Sequence, residues 1–230
     1  MGQEFERIWQ GRLSRVLDDA YGQDVCQHIL QGGTGLHDGA SSLEVIAWTR
    51  QALGRLESSA GSQKTRQILS ACACHYPQSE LAPVRARFLE TGEIAVAHLM
   101  LQVRFEAFLE LDLDLPQDMR GTIVRRGWGP AGALGSKQII ATKMPKSGSV
   151  REYLAETDAR RRRALYCHCP RVGQLPVLGE RLPASYCYCG AGYYKDMWEY
   201  ILGSPVEVEV LTSVLQGDDE CSIAICLPDR

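Results

Sequence analysis

Three pairs of cysteines, each with one residue between, are the chemical signature of this chain: Cys72 and Cys74 in "ACACHYP", Cys167 and Cys169 in "LYCHCP", Cys187 and Cys189 in "SYCYCGAG". A soft or borderline metal needs thiolate or imidazole donors brought together from separate segments. Cys167, Cys169, Cys187 and Cys189 make such a set, with Cys221 as a further donor and His168 as a substitute. Zinc or an iron–sulfur cluster is the cofactor such donors suit. The separation between the two pairs resembles that of zinc ribbons, but structural zinc sites usually place two or more residues inside each pair.

Two other readings stand beside the metal. Cysteine is often buried and packs as a small hydrophobe, which is the expectation for Cys72 and Cys74 near a helix end. A thiolate can also be a nucleophile, activated by positive charge or a helix N-terminus. Arg160 to Arg163 precede Cys167, and Cys189 stands just ahead of a helix expected to begin near Gly192. A dyad of Cys189, or Cys167, with His168 is the catalytic candidate. Tyr166, Tyr186 and Tyr188 interleave with the cysteines, and with Trp198 they are expected to wall a small-molecule pocket.

The remaining polar candidates have simpler accounts. His98 lies inside a strong helix, and His28 and His37 flank a loop without a supporting pattern. His75 reads as a helix C-terminal histidine. Asp218 and Asp219 fit the tip of a hairpin, and Glu207 and Glu209 its wet face. The glycines of "GWGPAGALG" match neither a phosphate loop nor a dinucleotide fingerprint.

The elements that must position these residues divide at Pro116. Residues 1–115 read as helices, and residues 116–230 as an α+β, Cys-rich region, the two packed as one unit. Phe5, Ile8, Trp9, Leu13, Val16 and Leu17 recur at three- and four-residue spacing. Ser41 with Glu44 forms a capping box that opens a helix through about Leu56. "SQKTRQILSACACHY" is helical until Pro77, and a further helix runs from Ser79 to Gly92. In "EIAVAHLMLQVRFEAFLEL", Val96, Leu99, Met100, Val103 and Ala107 are taken as the buried face. "KQIIATKM" alternates as a strand, and "SVREYLAETDARRRRAL" is a charged helix. "GYYKDMWEYILG" is a compact helix with Tyr194, Met197, Trp198 and Ile201 inward. "PVEVEVLTSVLQGDDECSIAICLP" is a β-hairpin in which Cys221 shares parity with Ile223 and Ile225, while Cys226 faces away.

Composition bounds the setting. At 45% hydrophobic and 23% charged, the chain reads as a soluble globular protein. Its apolar runs are too short to span a bilayer, and the N-terminal residues show no secretion signal. A net charge of −3 gives no reason to expect nucleic acid or an anionic membrane. A cytoplasmic, reducing location follows, where disulfides rarely persist. An odd nine cysteines also cannot all pair within one chain.

The stretch "GAGYYKDMWEYILGSPVEVEVLTSVLQGDDECSIAICLP" resembles the end of the 4-vinyl reductase-like small-molecule-binding domains, through Gly192, Tyr193, Leu202, Gly203, Pro205, Val206, Gly217, Asp218 and Cys221. Its "LQGDDEC" is also similar to the L-2-amino-thiazoline-4-carboxylic acid hydrolase-like family. "GWGPAG", "IIATKMPKSG", "YCHCP" and "YCYCGAG" resemble a bacterial group in that neighbourhood. The resemblance implies an α+β fold, an antiparallel sheet with helices of 4-vinyl reductase-like type packed on it, often as a homodimer enclosing an apolar pocket. Sensor members bind zinc through cysteines near the final hairpin; one falls on Cys221, the other on Ser213. The expected function is binding of a small molecule, a metal, or both through the Cys-rich segments. The alternatives are hydrolysis of a small sulfur- and nitrogen-containing ring by a thiolate or metal-bound water, and a sensor module without chemistry.

Overall fold

The computed structural model describes residues 3–36 and 39–228, and His37 lies outside them. The chain is mixed helix and sheet. In the first half, α1 (Gln3–Tyr21) and α2 (Gln23–Leu30) break at Gly22, and α3 (Ser42–Ala71) follows. The capping box forms as the sequence predicts: Ser41 Oγ accepts from Glu44 N (3.3 Å) and the Glu44 carboxylate accepts from Ser41 N (2.7 Å). These bonds satisfy backbone donors that a helix start leaves unpaired. Gly61, at φ 72° and ψ 165°, is not helical and divides α3 into two helical stretches, as the two helices expected before and after it require, the first running a few residues beyond Leu56. Next come α4 (Gln78–Thr91), α5 (Ile94–Ala107) and a π-helical turn at Phe108–Asp112.

The expected inner face of α5 is wrong at Leu99 and Val103, while Val96, Met100 and Ala107 are half-buried. Leu99 and Val103 are 61% and 60% exposed, whereas Ala97, Leu101 and Phe105 are buried. The helix is apolar nearly all round, so hydrophobic pattern alone could not orient it.

The second half holds α6 (Gln117–Arg125), β1 (Ala133–Leu134), β2 (Gln138–Thr142), α7 (Val150–Ala155), α8 (Ala159–Tyr166), α9 (Pro170–Leu178), α10 (Tyr188–Leu202), β3 (Glu207–Thr212) and β4 (Ser222–Cys226). The single charged helix expected over 149–165 is two. Asp158 caps the second by accepting from Arg161 N at 2.9 Å. The four strands form one antiparallel sheet in the order β1-β2-β4-β3.

The hairpin forms as its alternation predicts. Val208 and Val210 lie opposite Ile225 and Ile223, which lie in turn opposite Ile139 and Ala141. Burying that apolar row needs a second layer, and α10 supplies it with Met197, Trp198 and Ile201, all fully buried. The other side of α10 packs on α3 and α4. One continuous core therefore joins the helical half to the sheet.

Candidate functional site: a thiol centre at the start of α10

Four segments meet where α10 begins: the exit of α3, the 167–169 loop, the turn at 187–189, and the residue before β4. Two contacts fix them. Gly192 lies so close to α3 that a Cβ there would sit 1.9 Å from Ser70 O. Tyr166, at the end of α8, donates its hydroxyl to Lys143 O and accepts from Cys221 N at 3.0 Å. Lys143 N in turn donates to Cys221 O at 2.9 Å, extending the β2–β4 pairing by one step.

Helix α10 starts four residues before Gly192. This places Cys189 inside its first turn and Cys187 at its cap. Cys167 and Cys169 flank the entrance of α9, with Cys169 as its cap. Cys221 is buried, and Cys167, Cys169, Cys187 and Cys189 are half-buried.

Two of these five sulfurs have a hydrogen-bonding partner able to donate, Tyr186 Oη at Cys169 and Val214 N–H at Cys221, and polar groups stand near the other three. The Cys169 backbone N–H lies near Cys167. Tyr186 Oη lies 3.4 Å from Cys169 Sγ; because that oxygen already accepts from Arg171 Nη1 (3.0 Å), its own proton is free for the sulfur. Ser213 Oγ accepts from Gln216 N and Nε2, both at 3.3 Å, and lies near Cys187. Val214 N–H donates to Cys221 Sγ at 3.4 Å. The buried indole N–H of Trp9 has no hydrogen-bond partner among the described residues and lies near Cys189.

The half-buried Lys143 adds a positive charge that favours the thiolates of Cys167, Cys187, Cys189 and Cys221. Its Nζ stands 3.1 Å from where a Cβ on Gly190 would lie. Against these stand burial and mutual repulsion. Burial, then the neighbouring Cys221, push Cys187 up to about 12. Burial, then Cys169, push Cys189 up to about 11. Cys167 and Cys221 are raised as well, first by burial. Such thiols keep their protons near neutrality until a cation compensates them.

Other predicted residues are placed differently. His168 turns Nε2 to Met144 O (3.0 Å), and no hydrogen bond among the described residues joins it to Cys189 or Cys167. Arg162 and Arg163 reach Asp219 at 3.3 and 3.5 Å. Asp218 Oδ2 accepts from Ser213 N (2.8 Å), as a turn residue does. His98 Nε2 lies 2.8 Å from Gly132 O. Tyr166 and Tyr186 contribute hydroxyls to the centre, Tyr188 lies under the Arg66 guanidinium (5.1 Å), and Trp198 is core. Two surface depressions, at residues 179–183 with Arg50 and around Arg7 and Trp48, are lined by none of these four aromatics.

Cys72 fills the core as expected and donates its thiol to Ile68 O (3.1 Å). Cys74 does not share that packing role, because it is exposed. Among the described residues, no three His, Cys, Asp or Glu side chains are already drawn into a metal-ligand set. Sequence reasoning placed Trp9 only on the apolar stripe of the first helix and gave no site role to Lys143 or Arg171. Each lies far along the chain from the cysteines it serves or sits in an ordinary amphipathic setting, so no local motif marks it.

The model of a family of unknown function (DUF6144) matches residues 153–230, which contain all five cysteines of the centre but neither Trp9 nor Lys143. No curated protein and no solved structure matches the chain.

Proposed function

We propose that this chain binds a soft metal ion or cluster through Cys167, Cys169, Cys187, Cys189 and Cys221. The observation that carries the reading is that five thiols from three segments meet at the start of α10, with Tyr186 Oη and Val214 N–H at hydrogen-bond distance from Cys169 and Cys221. A neutral thiol is a weak acceptor and asks for no such partner. A metal-bound thiolate does, and outer-shell hydrogen bonds of this kind hold the ligand and tune the metal. Lys143 offsets part of the negative charge that several thiolates would bring.

Zinc and iron–sulfur clusters are the leading candidates, because thiolate ligands select them. The sulfurs must draw inward on loading. A closed set of four thiolates would make the metal structural. Three protein ligands and an open position would suit a hydrolase. A reducing, cytoplasmic setting is part of the reading, since oxidised cysteines could not coordinate.

The test is elemental analysis with an absorption spectrum, on protein purified anaerobically without a histidine tag. About one zinc or several irons per chain, lost in a Cys167→Ser/Cys187→Ser variant, is the expected result. No metal as purified, and none retained after reduced protein is incubated with zinc, iron or cadmium, overturns the reading.

A further inference from the structure

Sharing no lining residue with the thiol centre, a depression of about 310 Å³ opens between α1, the 30–34 segment and α3. We propose that it binds a small organic carboxylate: Arg7 takes the charged end, and the apolar body lies against Leu30 and Trp48. No cysteine lines it, so this site stands whether or not the chain holds a metal.

Helical spacing builds one wall. Arg7, Gln10, Gly11 and Ser14 stand at i, i+3, i+4 and i+7 of α1 and share one face, while Trp9, Leu13 and Leu17 turn into the core. Gly11 opens that face, since a Cβ there would meet no atom within 4 Å. Leu30, Gly33, Thr34 and Trp48 form the facing wall. The chain lies flat on the indole because Gly33 has no side chain; a Cβ there would sit 2.6 Å from Trp48 Cζ2. Trp48 Nε1 donates to Gln31 O at 3.2 Å, and the Arg55 guanidinium donates to Ile29 O (2.9 Å) and Gln31 O (3.0 Å). Cys26 Sγ donates to Ser14 O at 3.4 Å and ties α2 to α1. Both walls are therefore held in place before a ligand arrives, which lowers the cost of ordering on binding.

The polar groups of the site are unspent. Arg7 is exposed and has no carboxylate partner among the described residues. The Gln10 amide nitrogen is closed off from solvent with no acceptor among them. A buried donor left unpaired is costly. The last torsion of a glutamine side chain turns easily, so swinging this amide toward the depression costs its nitrogen no hydrogen bond and offers it one. A guanidinium and a carboxamide one helical turn apart supply donors for both oxygens of a carboxylate. Leu30 and Trp48 add apolar surface beside them, the mixture found in ligand clefts, whose volumes start at roughly 300 Å³.

The test is a titration of the full chain by saturation-transfer NMR with benzoate and with benzamide, which has nearly the same shape and no charge. Wild type should bind benzoate, and benzamide about tenfold or more weakly, the factor that a hydrogen bond to a charged group supplies. Arg7→Gln should weaken benzoate by the same factor and leave benzamide unchanged. Gly11→Leu fills the depression from α1. Leucine is the better helix former and its Cβ has open space, so this variant should keep the wild-type circular dichroism spectrum and lose benzoate. Absence of benzoate binding to wild type overturns the carboxylate site, as does equal binding of benzoate and benzamide. Benzoate held by folded Gly11→Leu as tightly as by wild type, or by Arg7→Gln as tightly as by wild type, overturns it as well.

Discussion

Glu6 and Arg171, 165 positions apart in the chain, form an ion pair closed to solvent at both ends, with side-chain exposures of 2% and 0%. The guanidinium meets both carboxylate oxygens, stacks on Trp9 at 3.9 Å from the ring centroid, and donates to Tyr186 Oη. The first helix is thereby bound to the cysteine segment by charge, stacking and a hydroxyl that ends on Cys169. Removing one partner leaves a buried charge uncompensated, which costs about 3–5 kcal/mol. Arg171→Met should therefore lower stability by that order in denaturant unfolding. The double variant Glu6→Leu/Arg171→Met should recover part of the loss. Additive losses would mean that the pair is not coupled.

Trp9 has two roles that substitution can separate. Its ring stacks on Arg171 and packs on Tyr186, while its N–H lies near Cys189. Trp9→Phe keeps an aromatic surface and removes the donor. The expected result is a protein that still folds cooperatively but holds metal about 10–100-fold less tightly, the usual effect of losing an outer-shell partner. Competition with a chromophoric chelator reads the affinity. Unchanged affinity would show that the indole serves packing alone.

Gly192→Ala tests the crossing that brings α3 to the centre. The added methyl meets backbone, Ser70 O at 1.9 Å, and cannot be relieved by a rotamer change. Overpacking of this kind costs about 1–3 kcal/mol or more. Gly148→Ala, where a Cβ meets nothing within 4 Å, is the control and should keep the wild-type stability.

How much of this was legible beforehand depends on whether the signal was local. The capping box at Ser41 and Glu44, the hairpin with its parity at Cys221 and Cys226, and the inward face of α10 all rest on neighbours within a few residues, and all form. The start of α10 was misplaced by four residues because the 3-10 turn at Ala184–Cys187 runs straight into the helix. That shift decides whether Cys189 lies before the helix or inside it. The polar groups around the sulfurs come from Trp9, Tyr186, Ser213, Val214 and a backbone amide. Only tertiary contact assembles them. Ser213 entered the sequence reading as a missing cysteine; in the fold it stands near Cys187.

The reversed face of α5 gives a direct comparison. Leu101 is 1% exposed and Leu99 61%. Leu101→Ala should cost about 2–5 kcal/mol, as truncation of a packed leucine does. Leu99→Ala should stay within about 0.5 kcal/mol of wild type, as surface changes do. Chemical denaturation of the two variants decides between the faces. Comparable losses would restore the arrangement expected from the sequence.

The thiol assignments separate most cleanly in paired variants. Cys187 and Cys189 bracket the start of α10, and each lies near a polar group of a different element, Ser213 and Trp9. Cys226 ends β4 on the exposed side. Cys187→Ser/Cys189→Ser removes two of the five proposed ligands, so bound metal should fall to a trace. With it should go the stabilisation that a tightly bound ion gives the folded state, which grows as RT ln(1 + [L]/Kd) and reaches about 4 kcal/mol at a thousandfold excess over Kd. Cys226→Ser should keep full metal content and the wild-type unfolding midpoint. Metal content by elemental analysis and paired melts with and without chelator read both effects. If the double variant and Cys226→Ser behave alike, the centre is not built on the start of α10.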